Sequence, residues 1–185
     1  MLDRIGGEVA RATTIVRFAP GSAFSAHTHD GGEEYLVLDG VFQDETGDFP
    51  KGAYVRNPPT SRHTPASAAG ATILVKLHQF DLNDRTEVKR QTGGEASAVQ
   101  PLHSDPSEDV RIEVWAPGEA LRRDASGGIE LFVLDGGFTQ GGEAFGRWDW
   151  LRLPMGDDFL GSAGPDGARV WVKSGHLKAG MSPRF

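Results

Sequence analysis

An internal repeat constrains what this chain can fold into more than any other feature does. Glu34-Tyr35-Leu36-Val37-Leu38-Asp39-Gly40 lines up with Glu130-Leu131-Phe132-Val133-Leu134-Asp135-Gly136 at an offset of 96 residues (130 − 34). Upstream, Phe18-Ala19-Pro20-Gly21 matches Trp115-Ala116-Pro117-Gly118 at an offset of 97 (115 − 18), so one residue was gained or lost between. Downstream, Arg56-Asn57-Pro58 matches Arg152-Leu153-Pro154, again at 96 (152 − 56). Two copies of one structural unit follow, and the 185 residues divide into a domain over 1–90 and a second over 91–185.

Each unit reads as a succession of short strands. Glu8 to Phe18 alternates and is rich in Val, Ile and Thr, which predicts a long half-buried strand. Glu33 to Leu38 is a shorter run, and Asp39-Gly40 after it is a dipeptide favoured in hairpin turns. Ala53 to Arg56 and Ala71 to Phe80 complete the first set. Val110 to Trp115, Ile129 to Leu134, Trp148 to Leu153 and Ala168 to Val172 form the second. Nothing carries a sustained 3.6-residue period, so no helix of any length is expected. Twenty-five glycines and eleven prolines suit an all-β architecture with many tight turns. Asp81 to Ser107 is polar, contains Gly93-Gly94, and reads as a linker, with or without a strand that crosses to the other half.

Composition narrows the chemistry. A net charge of −7 offers no basic face, so neither nucleic acid nor a membrane surface is expected as a partner. The chain has no cysteine, which excludes disulfides, thiolate metal sites, iron–sulfur clusters and thiol nucleophiles. No stretch approaches the roughly 18 apolar residues that span a bilayer. The opening Met1 to Gly7 lacks the apolar core of a secretory signal, so a cytoplasmic location is expected.

Any metal site must therefore use histidine and carboxylate. His27 and His29 stand at i and i+2, which in a strand puts both side chains on one face. Asp30-Gly31-Gly32 turns the chain, Glu33 opens the next strand, and His63 follows just beyond Pro58-Pro59-Thr60. Three imidazoles and a carboxylate suit one divalent transition ion, Zn, Fe, Ni or Mn. Phe24, Tyr35, Tyr54 and Arg56 lie near these residues in sequence and are candidate pocket residues. His78 is either a strand residue of the core or edge or a group just behind the site, while His103 and His176 sit in polar surroundings and are expected to be solvated. The four tryptophans all belong to the second unit and are expected to fill its core.

The spacing Gly21, His27, His29, Glu33, Gly40 resembles the first cupin motif, and Gly52, Pro58, His63 resembles the second. Thr60 stands where the family usually has Gly, and Ser67 where it often has Asn. Further, Gly6-Gly7-Glu8-Val9-Ala10, His27 through Glu34 and Tyr54 through Pro59 are similar to the cupin region of ChrR-type anti-sigma factors. The resemblance implies two tandem cupin (jelly-roll) barrels, a metal held by His27, His29, Glu33 and His63, and homodimerisation. Glu34 competes with Glu33, but the six-residue gap to Gly40 favours Glu33, and Glu34 is matched by Glu130 in the copy that has no histidines. At offset 96 the second copy carries Arg123, Ala125, Ile129 and Phe159 at the four ligand positions, so it is a degenerate barrel. It acts either as a structural partner or as an organic-ligand pocket using Arg122 or Arg123.

Three functions fit this pattern. They are a dioxygenase-type enzyme acting on a small molecule, a sensory or regulatory module, and a protein whose metal is structural. No catalytic residue is assigned. The helical domain with which ChrR-type proteins hold a sigma factor is missing from this sequence, so sigma-factor binding is not expected. Cupin barrels also begin with a strand ahead of the Glu8–Phe18 segment, so the sequence is either a whole barrel or a fragment that lacks an upstream segment.

Overall fold

A computed structural model describes residues 1–7, 10–93, 97–156 and 158–178. Glu8 and Val9, which open the first predicted strand, and Gly94 of the joining segment lie outside the described residues. Among the described residues there is no helix, hence none long and apolar enough to cross a membrane. The chain divides into two compact units after Gly93.

In the first unit the strands are β1 (Asp3–Gly6), β2 (Ala10–Phe18), β3 (Ser22–Ala23), β4 (His27–His29), β5 (Glu33–Asp44), β6 (Gly47–Pro50), β7 (Ala53–Asn57), β8 (Ser61–His63), β9 (Ala66–Ser67), β10 (Ala71–Leu77) and β11 (Val88–Gln91). The main sheet runs β1-β2-β10-β5-β7-β11, with β6 paired to the far end of β5 and β3 to β9. Strands β4 and β8 form a separate two-stranded ribbon, and its register sets His27 opposite His63. All pairings are antiparallel. β1 pairs with β2 along the edge of this sheet.

The second unit repeats the plan with β12 (Val99–Ser104), β13 (Asp109–Trp115), β14 (Ala120–Arg123), β15 (Ile129–Gln140), β16 (Glu143–Phe145), β17 (Trp150–Leu153) and β18 (Phe159–Ser174), in the order β12-β13-β18-β15-β16. The segment read as a linker contributes two strands, and neither crosses to the other half: β11 pairs with β7 and β12 with β13, each within its own unit.

The Asp-Gly dipeptides do not make hairpins. β5 runs through Asp39-Gly40 to Asp44, and β15 through Asp135-Gly136 to Gln140. Each instead marks a bulge, where the register jumps from Val37 to Asp39 and from Val133 to Asp135. Gly40 and Gly136 have φ of 73° and 66°, and a Cβ at either would run into the carbonyl oxygen of Gly70 or Gly167. Only glycine fits such a site. The extra residue reverses which parity faces inward. Tyr35 and Val37 point into the first core before the bulge, and Phe42 does so after it. In the second unit Ile129, Leu131 and Val133 are followed by Phe138.

Both faces of the first sheet are buried, and they differ in character. The inner face packs Phe18, Tyr35, Val37, Phe42, Phe49, Val55, Ile73 and Val75. On the other face a row of buried polar residues crosses four strands in register: Thr13 beside Lys76, Lys76 beside Glu34, and Glu34 beside Arg56. Of the tryptophans, Trp115 and Trp171 are buried as expected. Trp148 and Trp150 are only half-buried, so the expectation that all four fill the core fails for these two.

Candidate metal centre

The inner face of β5 and the β4–β8 ribbon bring the site together. His29 Nε2 and His63 Nε2 are 2.9 Å apart. Glu33 Oε2 stands 3.5 Å from the first and 3.4 Å from the second. The His27 ring centroid lies 4.7 Å from that of His29 and 5.4 Å from that of His63, and one nitrogen from each of the three rings falls within 4.8 Å of the others. Donors sharing an ion at about 2.1 Å stand about 3.0–3.4 Å from one another in octahedral or tetrahedral arrangements. The spacings of His29, His63 and Glu33 fit such an ion, and their chemistry fits a borderline transition metal better than calcium or magnesium.

The neighbours prepare the nitrogens for this role. His27 Nδ1 donates to the Ser25 carbonyl at 2.8 Å, which leaves Nε2 free as a ligand. His63 Nδ1 faces Asp44 Oδ2 at 3.4 Å, a carboxylate–imidazole pair that does the same for its Nε2. Asn57, opposite Glu33 in register, donates to Glu33 Oε2 at 3.2 Å. Burial and the neighbouring histidines lower the pKa of His29 to about 3, so its ring stays neutral. Burial likewise lowers that of His63. Burial raises the pKa of Glu33 to about 7, against the pull of the Asn57 hydrogen bond and with Asp44 adding to the rise. Neutral imidazoles around a carboxylate that is costly to ionise alone form a set that a cation would relieve.

Glu33 and Glu34 separate cleanly. Glu34 lies on the opposite face, where it accepts a hydrogen bond from the Tyr54 hydroxyl at 2.5 Å. Two of the four candidate pocket residues go with it. Tyr54 sits beside Leu36 in the register, and Arg56 pairs with Asp84 at 2.6 Å and stacks over Phe80 at 3.9 Å. Both face away from the histidines because strand alternation puts them out of phase with Val55. Tyr35 is on the same face as Glu33. Phe24 is 53 % exposed and begins an aromatic ladder, with edge contacts to Phe18 and on to Phe42 at 5.3 Å each and from Phe42 to His63 at 6.0 Å.

Thr60 adopts a left-handed φ of 72°, the conformation for which glycine is favoured. Ser67 is fully buried and donates to the Val41 carbonyl at 2.6 Å. His78 also takes a left-handed φ, 56°, is half-buried and acts electrostatically on His29. His103 and His176 are not solvated. The His103 side chain lies 3.0 Å from Asp105, and that of His176 lies 3.2 Å from Glu130. His103, Asp105 and Glu108 also cluster closely enough to hold an ion, but Glu108 already takes the Lys173 ammonium at 2.8 Å.

At the ligand positions of the second unit, Ala125, Ile129 and Phe159 are buried in an apolar core. Arg123 is paired with Glu113 at 2.6 Å and Arg122 with Asp158 at 2.7 Å. Both arginines named for an anion pocket are thus engaged by carboxylates.

Comparison with known proteins agrees with this architecture. Residues 1–81 match the family model of the ChrR cupin-like domain. No curated protein matches the chain in sequence. A protein of Nostoc punctiforme described as a candidate dioxygenase superposes with a TM-score of 0.73 at 14% identity, over 92% of this chain and 72% of its own. The bacterial pirin YhhW of Escherichia coli, in complex with nickel(II), gives 0.68 at 16% identity over 89% and 83%. A cupin 2 conserved barrel domain protein of Leptotrichia buccalis gives 0.62 at 13% over 95% and 88%. The chain thus has the cupin fold, and its first unit carries a histidine cluster able to hold a metal ion. The match to the ChrR cupin-like family model falls within the first unit, the one that holds this cluster.

Proposed function

We propose that the chain binds one divalent transition metal ion through His27, His29, Glu33 and His63, and uses it in dioxygenase-type chemistry on a small organic molecule. The observation that carries this reading is the asymmetry of the ligand set. His29, Glu33 and His63 are buried whereas His27 is exposed, so the group lies at an opening with one side available to a ligand, as reactive rather than purely structural sites require. When bound, iron, nickel or manganese supplies Lewis-acid and one-electron chemistry that no side chain here offers. The protein's own part is to hold the ring tautomers through Ser25 and Asp44, to orient Glu33 through Asn57, and to exclude water with the Phe18–Phe42 wall. The likeness in fold to the Nostoc protein supports the enzymatic reading. The match of residues 1–81 to the ChrR cupin-like domain favours a second one, a sensory or regulatory module.

Elemental analysis of protein purified without a histidine tag or added metal tests the proposal, followed by oxygen uptake with candidate substrates. Iron, nickel or manganese near one atom per chain, with substrate-dependent uptake, supports the enzyme. Zinc at one per chain without uptake moves the assignment to the regulatory reading. A metal-free chain that takes up none on incubation refutes both.

A further inference from the structure

Among the described residues of the first unit, the Tyr35 hydroxyl is a buried polar group that neither the fold nor the proposed ligand set uses. Tyr35 shares β5 with Glu33 two residues before it, so both side chains point the same way. Its side chain is 1 % exposed, and its hydroxyl makes no hydrogen bond with the described residues. Its ring packs on that of Phe42, which in turn lies 6.0 Å from the His63 ring, so the side chain is on the metal-site side of the core. The ring is fixed by Phe42 at 4.8 Å and Phe49 at 6.0 Å. Burying a hydroxyl without a partner costs about 1–3 kcal/mol, and phenylalanine would fill the same space without that cost. The repeat supplies a comparison within the chain. At offset 96 the residue matching Tyr35 is Leu131 (35 + 96), a core residue of the unit whose ligand positions are apolar. The hydroxyl is present where the histidines are and absent where they are not.

We infer that the Tyr35 hydroxyl is a ligand-binding group. It donates a hydrogen bond to an oxygen of a small organic molecule held at the metal, which selects carboxylate, enolate or phenolate oxygen donors. The flat walls offered by Phe18 and Phe42 suit an unsaturated or aromatic body on the same molecule. This inference rests on the proposed metal site and goes further, because it names the class of ligand and the residue that recognises it.

The test uses the full chain loaded with cobalt(II), with the visible absorption of the ion as readout, for wild type and Tyr35→Phe. Benzoate presents a free oxygen acceptor once bound to the ion, whereas imidazole bound through nitrogen presents none. Tyr35→Phe is expected to take up cobalt as wild type does, to weaken benzoate about tenfold, and to leave imidazole within twofold. The metal-free variant should melt higher than wild type, since an unpartnered hydroxyl has been removed. Equal benzoate affinities, an equal loss for both probes, or a lower melting temperature overturns the inference while leaving the metal site standing. A wild-type chain that takes up no cobalt overturns the proposed function, and this inference with it.

Discussion

Adjacent glutamates on one strand make the sharpest test of the site, because the structure assigns them opposite consequences. Glu34 is buried in register between Lys76 and Arg56 and accepts from Tyr54 at 2.5 Å. Glu34→Gln removes the negative member of a buried charged row, a loss that typically costs about 3–5 kcal/mol. For a chain of this size that is a fall in Tm of roughly 6–20 °C. Glu33 behaves in the reverse sense. Its folded pKa of about 7, against an ordinary 4.5, means that ionising it without a metal opposes folding. The cost is present above both values and vanishes below them. By proton linkage it grows from under about 1 kcal/mol at pH 5 to an upper limit of about 3 kcal/mol at pH 8. Glu33→Gln, which still accepts from Asn57, should therefore stabilise the chelator-treated protein at pH 8 and change it little at pH 5. The same variant should weaken metal binding at least about tenfold. Denaturant titrations of both variants at the two pH values, with and without metal, read all of these effects. A metal-free Glu33→Gln that is less stable than wild type at pH 8, or a Glu34→Gln that costs nothing, would refute the assignment of the two faces.

Three further outcomes follow from the same geometry. Metal binding at pH 6 should release close to one proton per ion, because Glu33 is protonated there and must ionise; calorimetry in two buffers of different ionisation enthalpy measures the number, and zero would exclude Glu33. Asp44→Asn should lower metal affinity about 10–100-fold without removing a ligand, since it loosens His63, and competition with a chromogenic chelator checks this. His29→Gln should gain stability relative to wild type, both metal-free, as pH falls below 6.5. Wild-type His29 resists protonation down to about pH 3 while the unfolded chain does not. The upper limit is about 3 kcal/mol at pH 4, and parallel stability–pH curves would contradict it.

Much of the fold was legible in the sequence, and the misses share causes. Strand positions followed from alternation, and the duplication followed from the matching heptapeptides. Asp44 could not be found by the same logic. Counting inward positions from Glu33 by twos puts Asp44 on the outer face, and the Asp-Gly pair suggested that the strand had already ended. The bulge at Leu38 reverses the parity, and it is set by a left-handed glycine packed against a neighbouring carbonyl, a contact distant in sequence. One clue was present: Asp39-Gly40 recurs at Asp135-Gly136 inside equally apolar surroundings, which suits a bend in a buried strand as well as an exposed turn. Tyr54 and Arg56 were assigned to the pocket by proximity in sequence, although alternation from Val55 would have turned both away. The burial of His176 had no local signal, because its carboxylate partner Glu130 meets it only after the sheet has formed, whereas Asp105, two residues from His103, was a local clue to the pairing of that ring.

The two copies differ by face. On the inner face five polar groups of the first unit give way to apolar residues, His29 to Ala125, Glu33 to Ile129, Tyr35 to Leu131, Asn57 to Leu153 and His63 to Phe159 at offset 96, while His27 and Asp44 are matched by Arg123 and Gln140. The apolar replacements are buried or packed against one apolar core. Partial loss would have left imidazole or carboxylate buried without an ion, at a cost of several kcal/mol, so the positions are coupled and stable only as a full site or as an apolar filling. The outer face holds to the other solution. Lys76, Glu34 and Arg56 lie side by side across the first sheet, and Lys173, Glu130 and Arg152 do so across the second. No single member of such a row can be made apolar without exposing its neighbours to the same penalty, while nothing about the row depends on a metal. The duplication thus separates what the fold needs from what the site needs within one chain.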